Sequence, residues 1–313
     1  MKLADAISLY MQVIHANGCK GDSIHGVLSL FAKYVSRDRE LTSISPSEVR
    51  AFLDGNRPLS HYWHRKHSAL MGFFRFALAR SLVPAIPLPS RTPRCYQDYQ
   101  PYVYSEDDVD RLIAALDGAR ATPIEARTLR VLVLLLYGTG LRLGEALHLC
   151  LADVDLSQQL LTVRDTKFYK TRWVPIGTHL VQILHEYIVA VHTSLSVERR
   201  DDTPLFTRRD GGRPTASGVR RAFARLRSKA GVRRNDGARY QPRLHDMRAT
   251  FAVHRLIIWY QQGADVQRLL PLLSTYLGHA SIAATQIYLP MSPELLVEAS
   301  IRLAHYVALE KQS

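Results

Sequence analysis

The stretch Val83–Tyr104, VPAIPLPSRTPRCYQDYQPYVY, holds five prolines, Pro84, Pro87, Pro89, Pro93 and Pro101. Each fixes φ, removes an amide donor and pushes its predecessor toward extended backbone. Neither a helix nor a central strand runs through such a segment, so the chain must fold as separate pieces on its two sides. Its 313 residues are enough for two ordinary domains. We read residues 1–83 as one domain, 84–104 as a linker, 105–290 as a second domain and 291–313 as a C-terminal helix.

Apolar residues at three- and four-residue spacing predict helices over Leu3–Ile14, Ile24–Val35, Ser47–Leu53 and Leu59–Ala79. Beyond the linker, Ser105-Glu-Asp-Asp108 reads as an N-cap with an acidic first turn, opening a helix through Leu116. Helices are expected near 123–136 and 142–149. Leu160–Asp165 and Arg172–Ile176 alternate like short strands around the polar turn Thr166–Thr171. Six more helices are expected, at 178–195, 215–230, 244–261, 265–277, 281–288 and 293–309. The fold class is therefore mainly α with a small antiparallel β-sheet, in two domains.

Charge points to the partner. Lys and Arg number 41 against 28 Asp and Glu, a formal excess of +13 with a pI near 9.8. Residues 1–100 carry 13 basic and 7 acidic residues, leaving 28 and 21 for the remainder, so both halves are basic. A polyanion, most often nucleic acid, fits this balance. Thr207–Arg243 holds twelve basic residues against two acidic ones, with Arg220 and Arg221 among them. Solvated faces usually mix signs, so this segment reads as DNA-facing. His61, His64 and His67 step along one helical face beside Arg65 and Lys66. No carboxylate or thiolate joins them, so a groove-facing helix is preferred to a metal site. Three scattered cysteines and no signal segment fit a reducing cytoplasm, and no apolar run approaches a membrane span.

Four motifs carry chemistry. Tyr137-Gly-Thr-Gly-Leu-Arg-Leu-Gly-Glu145 turns on two glycines and sets Arg142 at the start of a helix, where a phosphate is favoured, with Glu145 three residues on to hold it. The turn before Trp173-Val-Pro175 carries Lys167 and Lys170, either of which can reach into DNA, as can Arg172. Leu244-His-Asp-Met-Arg-Ala-Thr250 puts His245 and Arg248 one helical turn apart. In Leu277-Gly-His-Ala-Ser-Ile-Ala-Ala-Thr-Gln-Ile-Tyr288, Gly278 ends one helix and Ser281 caps the next. Singly, each has an ordinary explanation: a helix corner, a solvated lysine, a helix start, a core tyrosine. Together they suit attack of a tyrosine hydroxyl on a phosphodiester. The arginines would neutralise the transition state, and Lys or His would serve the leaving oxygen. No GxxxxGK[ST] loop and no dense carboxylate cluster is present, so neither ATP nor a two-metal site is expected, and no cofactor.

In this order the motifs resemble those of the tyrosine recombinases of the phage-integrase and Xer type, over roughly Ser105–Tyr288. The resemblance implies a helical, SAM-like core-DNA-binding domain followed by a tyrosine-recombinase catalytic domain, the two forming a C-shaped clamp on DNA. It implies that Tyr288 attacks the scissile phosphate and forms a 3′-phosphotyrosyl link. It assigns Arg142, Arg248 and His279 to the phosphate, Lys167 to the leaving 5′-oxygen, with Lys170 as the other candidate, His245 to proton transfer and Glu145 to support. Met247 and Ala249 depart from the usual pattern at positions without a chemical role. The partner implied is double-stranded DNA at specific sites, bound by a homotetramer that is a monomer or weak oligomer when free. A partner recombinase or accessory protein is compatible with it, and the tail would dock on a neighbouring protomer or on its own domain. Integration, excision or transposition of a mobile element is the role expected. The competing readings are a type IB topoisomerase and a DNA-binding protein without catalysis of its own.

Overall fold

The structure is a computed structural model that describes residues 1–19, 21–56, 59–93, 100–117, 124–164, 171–192, 202–238, 240–279 and 281–288, with Val297, Ser300 and Ile301 beyond. It divides into two compact units, Met1–Tyr99 and Gln100–Ser313, and the division falls inside the proline-rich stretch.

The first unit is built of α1 (Leu3–Ala16), α2 (Asp22–Val35), α3 (Pro46–Asp54) and α4 (His61–Ala79). Each begins or ends where local chemistry dictates. Ser45 caps α3 with a reciprocal pair: its hydroxyl accepts from Glu48 N at 3.3 Å, and the Glu48 carboxylate accepts from Ser45 N at 3.0 Å. Pro46 occupies the first helical position, where no amide is needed. Along α4 the buried positions Trp63, Lys66, Leu70, Phe73, Phe74 and Ala77 repeat every three or four residues. They close a core with Leu3, Leu28, Phe31, Val49 and Leu53.

Lys66 corrects an expectation. It belongs to that buried face rather than to a DNA-facing one, at 8% exposed. Its ammonium donates to the carbonyls of Phe52 and Leu53, both at 2.5 Å, and lies 4.9 Å from the Phe52 ring centroid. It thus satisfies the last turn of α3, whose carbonyls have no helical partner. Burial draws its pKa below the ordinary lysine value. His61 and Arg65 remain exposed, and His64 is half-buried. The His67 ring stacks on Trp63, 5.2 Å between centroids and 10° between planes, so the third histidine is spent on packing.

The second unit comprises α5 (Glu106–Ala114), α6 (Ala126–Thr139), α7 (Leu143–His148), β1 (Val154–Asp155), β2 (Leu160–Val163), β3 (Arg172–Pro175), α8 (Thr178–His192), α9 (Ala216–Lys229), α10 (Asp246–Gln261), α11 (Val266–Leu277) and α12 (Ala283–Gln286). The strands form one antiparallel sheet in the order β1-β2-β3, with Leu161 opposite Val174 and Val163 opposite Arg172. β1 was not foreseen, because two residues are too short to show alternation. The Ser105 cap on α5 is present as expected, with Asp108 N donating to Ser105 Oγ at 3.1 Å and Ser105 N to the Asp108 carboxylate at 3.2 Å.

The apolar helix α6 packs against α8 and against α10, which is buried at every position from Asp246 to Val253. Between these helices and the sheet lies the main core, including Leu132, Leu135, Leu161, Val174, Leu184, Phe206 and Phe223. A second cluster joins α10 and α11 through Phe251, Ala252, Leu256, Leu270, Leu273 and Leu277. The end of the proline-rich stretch is part of this unit, not free tether. Tyr104 is fully buried, its amide donating to Thr250 Oγ1 at 3.0 Å and its hydroxyl to the Arg243 carbonyl at 3.0 Å. The turn holding Lys167 and Lys170, and the tail apart from Val297, Ser300 and Ile301, lie outside the described residues.

Lys66→Met keeps the apolar stem and removes the charge, leaving two carbonyls unpaired. Urea unfolding of the full chain is expected to lose about 2 kcal/mol, against less than about 0.5 kcal/mol for Arg65→Ala. Weakened DNA binding at unchanged stability would return Lys66 to the DNA-facing set.

Candidate active site

The site begins with a sharp turn between α6 and α7. Gly140 sits there at φ +62°, and a β-carbon on it would come within 2.8 Å of Phe251 and 2.9 Å of Leu277. Only glycine meets both demands. The turn delivers Arg142 just ahead of α7. The Glu145 carboxylate accepts from Arg142 N at 3.0 Å and from the Arg142 guanidinium at 2.8 Å. Arg142 also donates to the Gly278 carbonyl at 3.2 Å, tying this turn to the end of α11. α7 is only six residues long, so the pull on an anion here rests on the guanidinium, not on a long helix.

Arg172 is the second correction. Alternation along β3 turns Arg172 and Val174 to the core face and leaves Trp173 and Pro175 exposed. The Arg172 side chain is 12% exposed and grips Glu145 with two hydrogen bonds, at 3.2 and 2.8 Å, while donating to the Tyr276 carbonyl at 3.0 Å. It does not face outward for DNA; it buttresses Arg142 through their shared carboxylate. Burial alone would raise the Glu145 pKa, but the hydrogen bonds and charge of Arg172, with those of Arg142, hold it at about 2. Gly278, at φ +67°, leaves the room this needs: a β-carbon there would stand 2.9 Å from the Arg172 guanidinium.

Arg248, one turn into α10, is 3% exposed. It donates to the Gly140 carbonyl at 2.8 Å and the Leu277 carbonyl at 2.6 Å, so both glycine turns are stitched to it. Burial, then the charge of Arg142, lower its pKa to about 10, which leaves it protonated at neutral pH. His245 precedes α10 and keeps an exposed face; partial burial and the charge of Arg248 lower its pKa. His279 follows Gly278, and its Nδ1 lies 2.7 Å from Thr285 Oγ1. Burial first, then Arg248, Arg142 and Arg172, lower the His279 pKa to about 4. Tyr288 is 7% exposed, set in the cluster between α10 and α11, its ring centroid 6.0 Å from that of His279.

The structure therefore brings Arg142, Glu145, His245, Arg248, His279 and Tyr288 together and adds Arg172 to them. Arg220 and Arg221 are exposed on α9. Among the described residues no group of three or more His, Cys, Asp or Glu is placed to hold a metal ion, and no helix is long and apolar enough to cross a membrane.

A mainly helical unit that gathers arginines around two glycine turns, with two histidines and a tyrosine, is the catalytic unit of a tyrosine-type site-specific DNA recombinase. The chain belongs to the phage integrase family, whose model matches residues 103–294. The integrase/recombinase y4rB of Sinorhizobium fredii is 38% identical over 79% of this chain and 80% of its own length. The tyrosine recombinase XerC of Oceanobacillus iheyensis is 29% identical over 88% of this chain and 86% of its own. Among solved structures, the Tn1549 transposon integrase in complex with a circular-intermediate DNA shares the fold with a TM-score of 0.68 at 17% identity, over 92% of this chain and 94% of that one. A lambda integrase dimer bound to a core site does so at 0.64 and 18%, over 92% and 95%.

Two outcomes follow from this geometry. Arg172→Lys keeps the charge but loses the two-pronged grip. Unfolding of the full chain should lose about 2 kcal/mol, and DNA cleavage should fall about tenfold or more with DNA affinity nearly unchanged. An affinity loss with normal cleavage would make Arg172 a DNA contact after all. In an NMR titration of the free protein, the His279 ring should stay neutral until about pH 4. An unfolded chain takes that proton near the ordinary value of 6.5. Between the two, the unfolded state binds more protons, so this group makes stability fall as the pH drops. A His279 midpoint at 6.5 would contradict the site's electrostatics.

Proposed function

We propose that the chain cleaves and rejoins double-stranded DNA at specific sites through a covalent link to Tyr288. The observation that carries this reading is the charge of the pocket. Three guanidiniums, Arg142, Arg172 and Arg248, are gathered around one carboxylate, Glu145, which bonds the first two and lies within electrostatic reach of the third, a surplus of two positive charges beside a tyrosine. A phosphodiester brings one negative charge, and its pentacoordinate transition state gathers close to two. The surplus is thus better matched to the transition state than to the bound substrate, which is what acceleration requires.

In this mechanism the Tyr288 oxygen bonds to phosphorus as the bond to the 5′-oxygen breaks, leaving a 3′-phosphotyrosyl link. Arg142 and Arg248 hold the non-bridging oxygens and His279 donates to one of them. His245 accepts the tyrosine proton, and Lys167 supplies one to the leaving 5′-oxygen. A 5′-hydroxyl from a partner duplex then reverses the step, so the bond energy is conserved without a nucleotide cofactor. Strand exchange between two sites calls for four protomers. Basic residues in both units, including Arg220 and Arg221 on α9 and Arg65 on α4, would track the phosphate backbone. The relatives named integrase/recombinase, and the likeness to a transposon integrase, support integration, excision or transposition of a mobile element as the setting.

The test is covalent trapping. The protein, in a metal chelator, is incubated with DNA from both sides of its own gene and quenched in detergent. A protein–DNA adduct is expected from the wild type and none from Tyr288→Phe, whose salt-dependent DNA affinity should stay within about twofold. An adduct that survives Tyr288→Phe would remove Tyr288 as the nucleophile.

A further inference from the structure

Thr285 stands between two of the groups just assigned and has no role among those the sequence motifs suggested. It lies on α12, fully buried, a rare polar residue in the apolar neighbourhood of Tyr288. Its two polar ends point to different partners. The hydroxyl lies 2.7 Å from Nδ1 of His279, and the carbonyl accepts from the amide of Tyr288 at 3.0 Å. The backbone amide of Thr285 is already used, donating to the Ile282 carbonyl at 2.8 Å. One residue therefore ties the imidazole to the peptide unit that carries the tyrosine.

The direction of the hydroxyl bond decides what His279 can do. A threonine in a helix often gives its proton to the carbonyl four residues back. Among the described residues Thr285 Oγ1 has no partner other than His279. With the hydroxyl proton directed at Nδ1, the ring nitrogen is the acceptor, and in a neutral imidazole that arrangement leaves the ring's own proton on Nε2. Burial first, then the charges of Arg248 and Arg142, lower its pKa to about 4, so the ring is neutral at working pH. It is anchored from behind by its own amide, which donates to the Ser274 carbonyl at 2.9 Å. In that tautomer the ring has one N–H, on Nε2, to offer to the phosphate.

We propose that Thr285 is a positioning residue that fixes His279 as the Nε2–H tautomer, so that a neutral imidazole donates a hydrogen bond to a non-bridging phosphate oxygen, and that it holds Tyr288 in register with that donor. This rests on the recombinase reading above and adds to it. A neutral donor suits this pocket: a third full charge facing the phosphate would have to be desolvated beside Arg142 and Arg248, whereas an N–H adds a directed bond at little electrostatic cost.

The test pairs Thr285→Val with Thr285→Ser and reads two quantities. Long-range 1H–15N NMR of the free protein, with His279 assigned by difference against His279→Gln, reports the tautomer without any DNA. We expect Nε2–H in the wild type and in Thr285→Ser, and a mixture or Nδ1–H in Thr285→Val. On whichever flanking DNA fragment the wild type cleaves, adduct formation should slow about 10- to 100-fold in Thr285→Val and less than about threefold in Thr285→Ser, with DNA affinity unchanged in both. An Nδ1–H wild-type ring would overturn the proposal, and so would a Ser variant as slow as the Val variant, which would assign the effect to the methyl group and packing. Should Thr285→Val fail to fold, the tautomer of the wild type and of Thr285→Ser still decides. Absence of a wild-type adduct on any fragment would count against the recombinase reading, while the NMR result would judge Thr285 separately.

Discussion

The Glu145 carboxylate is the hinge on which this site is built. It takes hydrogen bonds from Arg142 on one side and Arg172 on the other, and from the amide that starts α7. These groups come from a helix–helix turn and from a strand far away in the chain. Without the carboxylate, two guanidiniums would face each other in a partly desolvated corner, a repulsion that no apolar packing could offset. With it, β3 is locked to the α6–α7 turn, and Arg172 passes the constraint on to the end of α11 through Tyr276 and the bare face of Gly278.

The remaining cations are handled by backbone. Arg248 gives two of its five donors to the Gly140 and Leu277 carbonyls at the ends of α6 and α11 and keeps the others for a phosphate. Helix ends carry carbonyls without helical partners, and here they stabilise buried charge. The result is a preorganised positive pocket whose donors need little rearrangement when a phosphate arrives. Water would otherwise have to reorganise around the developing charge, and a fixed array avoids that cost. Burial, and then the same arginine charges, drive His279 toward its neutral form, so the arginines also shape the chemistry available to the imidazole.

Much of this was legible in the residues. The Ser105 and Gly-Thr-Gly signals place a cap and a turn where the structure has them, because each acts over four or five residues. The order of the motifs groups Arg142, His245, Arg248, His279 and Tyr288, and the fold sets the same residues near one another. Charge alone points Lys66 and Arg172 at DNA, yet each fulfils an internal need: open carbonyls at the end of α3, and a buried carboxylate. Those needs arise from elements distant in sequence. For Arg172 a local signal did exist, since alternation with Val174 set it on the core face. The proline-rich flank of Tyr104 reads as linker, and the two long-range hydrogen bonds that fix it leave no local signal. Thr285 gave no signal at all; a threonine on a short helix is ordinary until its neighbour is known to be His279.

The account stands or falls on which atom the DNA becomes attached to. The most direct measurement is mass spectrometry of the trapped protein–DNA adduct after digestion with nuclease and protease. A nucleotide mass linked through phosphate to the Tyr288 oxygen, with a free 5′-hydroxyl on the released DNA strand, is the predicted result. A nucleotide on any other residue, or a 5′-phosphate on the released strand, would contradict it.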